Sequence, residues 1–126
     1  MSKVLIVEDD KFLRTLLEKK LRSESFEVVT AADGEEAMNQ LVSTNPDMVL
    51  LDIILPKISG FSFLEQVQKD PNLNKIPVII LSNLAQGEDV QKGKDLGAID
   101  YFVKANTSLE DLIKKVRAFL QDKAPL

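Results

Sequence analysis

The chain contains no cysteine and no histidine among its 126 residues. Without cysteine there is no disulfide framework and no thiolate metal site. Without histidine the chain lacks the commonest general base, the commonest zinc ligand and any role as a phosphohistidine carrier. Cysteine nucleophiles and a Ser-His-Asp triad are excluded with them. Basic clusters are missing too. No run of Lys or Arg exceeds a pair and the net charge is −4, which disfavours autonomous binding to nucleic acid or to an anionic membrane. The longest apolar run is far shorter than a bilayer span. The opening "MSKVLIVE" meets acids before it could serve as a signal peptide. A soluble cytoplasmic protein is expected. Carboxylates, Lys, Ser, Thr and a single Tyr are left to carry any chemistry.

The length suits one domain able to bury a core without staples. We place it at residues 1–122, with 123–126 as a tail and no output domain within the sequence. The closing "QDKAPL" reads either as a frayed end or as the stub of a linker. Short apolar runs alternate with amphipathic stretches five times over. "KVLIVE" (3–8), "EVVTA" (27–31), "DMVLLD" (47–52), "IPVIILS" (76–82) and "AIDYFVK" (98–104) read as strands, with Pro77 at a first position that tolerates proline. "KFLRTLLEKKLRS" places Leu13, Leu17 and Leu21 on one helical face with Leu16. Asp33 and Ser59 are predicted N-caps of the next two helices, the second stopping before Asp70-Pro71. "GEDVQKGKDLG" is a weak helix, with Gly93 inside it and Gly97 ending it. The last helix opens on Thr107 with Glu110 or on Ser108 with Asp111. It carries Leu109, Leu112, Ile113, Val116 and Leu120 along one stripe.

Strands rich in Val, Ile and Leu alternating with helices imply an α/β fold, a doubly wound three-layer sandwich around a parallel sheet. Right-handed crossovers bring every strand's carboxyl end to one edge, where ligands bind in such folds. That edge collects Glu8, Asp9, Asp10, Asp52, Ser82 and Lys104. Taken singly, Asp52 is a turn residue, the "EDD" run a helix opening, Ser82 a helix start, Lys104 a solvated lysine and Tyr101 half-buried packing. Together they suggest more. Two carboxylates about 5 Å apart repel by roughly 3 kcal/mol at an effective dielectric of about 20, so a cluster of acids calls for a cation. Lys104 offsets part of the repulsion. An all-oxygen site favours Mg²⁺, with Mn²⁺ as the alternative. A metal, an ammonium and a hydroxyl suit the three equatorial oxygens of a transferring phosphoryl group, and an Asp carboxylate is a competent acceptor.

With "VLIVEDD", "PDMVLLDIILPKISGF", "IPVIILS" and "GAIDYFVK" in this order and spacing, the chain resembles the receiver domain of bacterial two-component response regulators. The likeness covers about residues 2–121. It implies a (βα)5 fold of the flavodoxin-like or CheY-like kind, with strand order 2-1-3-4-5, which patterning alone does not supply. It implies Asp52 as phospho-acceptor and metal ligand, and Asp9 as a direct ligand. Glu8 would hold metal-bound waters, and the backbone carbonyl of Ile54 would be a further ligand. Ser82 and Lys104 would engage the phosphoryl group, and Tyr101 would swing inward after Ser82. Asp10 falls outside the ligand set. The implied donor is a histidine kinase or a histidine phosphotransfer protein, and the implied outcome is a switched surface at about 84–95, Tyr101 and the exposed side of 107–120. That surface would meet a downstream protein, with phosphorylation-dependent dimerisation left open.

Four positions depart from the pattern. Ala105 follows Lys104 where a cis proline is common, and a cis bond costs a non-proline residue several kcal/mol. Asn83 stands where a small residue is usual. Ile54 and Leu84, two residues beyond Asp52 and Ser82, are apolar and position water poorly, which predicts a long-lived acyl phosphate. Two rival readings stand beside this one. One is a receiver-fold interaction module that never takes phosphate. The other is a flavin or nucleotide binder, which the acidic "EDDKFLR" loop makes poor.

Overall fold

The apolar runs do form strands: β1 (Lys3–Val7), β2 (Glu27–Ala31), β3 (Met48–Leu51), β4 (Val78–Ser82) and β5 (Asp100–Val103). Between and after them lie α1 (Lys11–Ser23), α2 (Gly34–Thr44), α3 (Gly60–Lys69), α4 (Gly87–Asp95) and α5 (Leu109–Gln121), with a 3-10 turn at Lys104–Asn106. The computed structural model describes residues 1–84 and 86–121. The expected boundary at residue 122 and the tail beyond it lie outside the described residues. All strand pairings are parallel, in the order β2-β1-β3-β4-β5. This is the flavodoxin-like, CheY-like arrangement that the resemblance implied.

Two apolar cores sandwich the sheet because successive strand residues point to opposite faces. Leu5 and Val7 join Ala37, Leu41, Phe63, Leu64 and Val67 on the α2–α3 side. Val4 and Ile6 join Leu17, Leu21, Leu112, Ile113 and Val116 on the α1–α5 side. Every residue of β3 and β4 is buried, and each such Val, Leu or Ile contributes roughly 1.5–3 kcal/mol. The centre of the sheet is therefore its rigid part.

Asp33 and Ser59 cap α2 and α3 as predicted, accepting from the N–H groups of Glu36 and Ser62. Ser108 is the hydroxyl that opens α5, accepting from Asp111 N–H, whereas Thr107 donates to the Val103 carbonyl. Gly97 follows α4 with φ +105°, a conformation that glycine adopts freely. Corrections to the reading are local. Four strands are shorter than expected by one to three residues, because pairing ends where the chain turns: Glu8, Asp52, Pro77 and Lys104 flank the strands instead of belonging to them. Leu16 is 40% exposed. Leu13, Leu17 and Leu21 repeat every four residues along one row, and Leu16 sits beside that row, at its edge.

Candidate functional site

The carboxyl edge of the sheet gathers the site because two strand ends are pinned by the neighbouring strand. Glu8 N–H donates to the Ala31 carbonyl and Asp52 N–H to the Val7 carbonyl, each at 3.0 Å. Both carboxylates follow four consecutive buried strand residues, 4–7 and 48–51, and the residues themselves are only 2% and 5% exposed. Lys104, at the turn after β5, reaches across β4 to meet them. Its Nζ lies 2.6 Å from Glu8 Oε1 and 2.9 Å from Asp52 Oδ2. Among the described residues no peptide is cis. The trans Lys104–Ala105 bond still aims the lysine at both acids.

In this buried triad two acids face one ammonium. Burial pushes the Glu8 carboxyl above the ordinary carboxylate value, and the Asp52 charge adds to this, against the Lys104 and Asp10 N–H hydrogen bonds. Burial works to lower Lys104, but the Asp52 and Glu8 carboxylates outweigh it and its pKa is raised. The surplus negative charge is the property a cation would neutralise. One oxygen each from Glu8, Asp9 and Asp52 lie within 4.8 Å of one another. An all-carboxylate set of this spacing fits a hard divalent ion such as Mg²⁺.

Around the triad, the Ile54 N–H donates to Asp52 Oδ1 at 3.3 Å, which folds the loop after β3 over the carboxylate. That loop is fixed further on by Gly60 N–H to the Ile53 carbonyl and Gly34 N–H to the Pro56 carbonyl. Ile54 is 59% exposed. Ser82 ends β4 fully buried, its Oγ accepting from Leu84 N–H at 3.3 Å. Tyr101 is not half-buried: it is 9% exposed and turned inward, its hydroxyl donating to the Leu84 carbonyl at 2.5 Å. Burial raises its pKa, the Asp89 charge adds, and the Ser82 hydroxyl acts the other way. Asp10 lies outside the cluster as the N-cap of α1, accepting from Leu13 N–H. The sequence reading missed Arg14. It binds backbone carbonyls, and backbone acceptors leave no trace in a sequence.

Comparisons with known proteins agree with this architecture. The family model described as the response regulator receiver domain matches residues 4–117. A probable transcriptional regulator, ycf27, of Guillardia theta is 41% identical over 120 residues, covering 95% of this chain and 46% of its own. The DNA-binding dual master transcriptional regulator RpaA of Synechocystis is 34% identical over 121 residues, covering 96% of this chain and 50% of its own. The chain thus spans about half the length of these relatives. Among solved structures, the Francisella response regulator 1452 receiver domain superposes with a TM-score of 0.91 at 31% identity, covering 98% of this chain and 100% of that one. The Vibrio cholerae chemotaxis protein CheY4 gives 0.86 at 31% identity over 94% and 98%. Matched along nearly its whole length in sequence and in fold, the chain belongs to the response regulator receiver domain family.

Proposed function

We propose that this receiver domain accepts a phosphoryl group on Asp52 in a divalent-cation-dependent reaction and signals through the face formed by α4, β5 and α5. The supporting observation is the Lys104 ammonium held between Asp52 and Glu8, with the Asp9 carboxylate alongside. An Asp52 oxygen attacks phosphorus in line with the leaving atom and forms a new O–P bond. The P–N bond of a phosphohistidine, or the P–O bond of a small acyl phosphate, breaks, and the leaving group keeps the electron pair. Mg²⁺, held by Asp9, Asp52 and the Ile54 carbonyl with Glu8 at its waters, would spread charge away from the transferring oxygens.

The chain's own groups do the rest. The buried β3 strand fixes the acceptor, and positioning of this kind supplies much of the rate. Lys104 turns from the carboxylate to the phosphoryl oxygens, and the Ser82 hydroxyl donates to another of them. Moving Ser82 alters its bond to Leu84 N–H, and Leu84 is tied to Tyr101. The change thereby reaches α4, where a local charge event biases a two-state surface. The domain is a signalling protein whose only catalysis is its own phosphorylation and dephosphorylation. Its donor would be a histidine kinase or a histidine phosphotransfer protein in the cytoplasm. Its target would be a protein, since a net charge of −4 disfavours direct binding to nucleic acid. Among the described residues no helix is long and apolar enough to cross a membrane.

Intact mass after incubation with acetyl phosphate tests this reading. One phosphoryl adduct is expected with Mg²⁺, and none with EDTA or in Asp52→Asn. Ile54 and Leu84 offer no polar group to orient water, so the adduct should decay faster in Ile54→Asn. No adduct under any condition would leave the interaction module as the better account.

A further inference from the structure

Asp9 differs from the other two acids in how it is aimed. Glu8 and Asp52 are buried and locked to Lys104. Asp9 is exposed, and among the described residues its carboxylate takes no hydrogen bond or ion pair from the protein. Its direction is set by the backbone of the loop between β1 and α1. That backbone is held from three sides. Glu8 N–H donates to Ala31, Asp10 N–H donates to Glu8 Oε2 at 3.1 Å, and Asp10 itself caps α1. The remaining tie is Arg14, one turn into α1. Its Nη1 donates to the Glu8 carbonyl at 2.9 Å and, more weakly, to the Asp9 carbonyl at 3.4 Å.

We propose that Arg14 is a positioning residue for the cation site, fixing the backbone from which the Asp9 carboxylate projects. The inference rests on the divalent-cation reading above. Groups that orient a metal's ligands without touching the metal typically alter affinity 10–100-fold when removed. The sign of the effect separates positioning from charge. Arg14 is a cation, so electrostatics alone predicts that deleting it tightens binding of another cation. Positioning predicts the opposite. Lysine adds a further distinction: it keeps the charge and the stem but lacks the planar fork of donors.

The test is a Mn²⁺ titration of the whole domain, with free ion followed by electron paramagnetic resonance, on the parent, Arg14→Ala and Arg14→Lys. Thermal unfolding in EDTA is measured alongside. Expected are a loss of about tenfold in Arg14→Ala and a few-fold in Arg14→Lys. Saturating Mg²⁺ should restore the acylation rate with acetyl phosphate, which damage to the fold would prevent. Should Arg14→Ala not fold, Arg14→Lys decides alone. Parent-like or tighter Mn²⁺ binding in the folded variants overturns the role of Arg14 and leaves the cation reading intact. A parent chain that binds no Mn²⁺ overturns both.

Discussion

At the scale of single residues, Tyr101 is its own reporter, because the chain has one tyrosine and no tryptophan. Its inward position was not legible in the sequence. An alternating strand shows only that a residue faces one side of the sheet, and the acceptor that holds this phenol is a backbone carbonyl, at Leu84. The raised pKa, caused chiefly by burial and then by Asp89, has a defined consequence for stability. Above about pH 10 an unfolded tyrosine loses its proton while the folded one keeps it. The folded state then binds more protons, and stability falls as pH rises. Lys104 has the same sign. Burial opposes the shift, but the two carboxylates raise its pKa, so its contribution is complete below about pH 10.4 and is lost as pH climbs through the folded value. We expect phenolate absorbance of the native domain to rise at higher pH than in the urea-unfolded chain. We also expect the urea midpoint to fall above about pH 10, less steeply in Tyr101→Phe. Coincident native and unfolded phenolate curves would contradict an inward Tyr101.

At the scale of elements, α4 is where sequence reasoning reached the right helix for an incomplete reason. Gly93 read as a weakness, since glycine inside a helix costs about 1 kcal/mol relative to alanine. The structure adds why it is there. A Cβ at Gly93 would stand 2.6 Å from Ile80 Cδ1 and 3.1 Å from Tyr101 Cδ2. Ile80 is fully buried, so its methyl has little room to retreat. The glycine lets α4 settle directly on β4 and on the Tyr101 ring, a contact no single-sequence pattern reports. Overpacking typically costs about 1–3 kcal/mol and outweighs the propensity gain. Gly93→Ala should therefore destabilise the domain by about 1 kcal/mol and bring the Tyr101 titration closer to that of the unfolded chain. Gly87, at the start of the same helix, has nothing among the described residues within 4 Å of a Cβ, so Gly87→Ala should stabilise by up to about 1 kcal/mol. Opposite shifts of the two urea midpoints are the expected result. Two shifts of the same sign would show that helix propensity, not the contact with β4, governs α4. The start of α5 shows a different limit. Thr107 and Ser108 each precede an acid by three residues, and only the path of the chain after β5 decides that Ser108 caps and Thr107 bonds backward to Val103.

For the whole molecule, the parallel sheet was legible because Val, Ile and Leu runs leave no polar face. The converging acids were legible because a parallel sheet sends every strand end the same way. Strand order was not, since patterning cannot distinguish among crossovers of one hand; it came with the resemblance. The surplus of acids over Lys104 was legible too, but not that its ammonium touches Glu8 and Asp52 together. That surplus carries the last prediction. The site holds surplus negative charge in the folded state, while the unfolded chain spreads the same acids apart, so a divalent cation should bind the folded state preferentially. Such binding stabilises by about 2.7 kcal/mol at a hundredfold excess over Kd. At roughly 4 °C per kcal/mol for a domain of this size, Mg²⁺ should raise Tm by about 10 °C relative to EDTA. NaCl at matched ionic strength should not reproduce the rise, since it only screens. Asp9→Asn should abolish it while unfolding like the parent in EDTA, because Asp9 is exposed and, among the described residues, its carboxylate takes no hydrogen bond or ion pair from the protein. Equal Tm values in Mg²⁺ and EDTA would mean that no cation is coupled to folding and that Lys104 alone balances the acids.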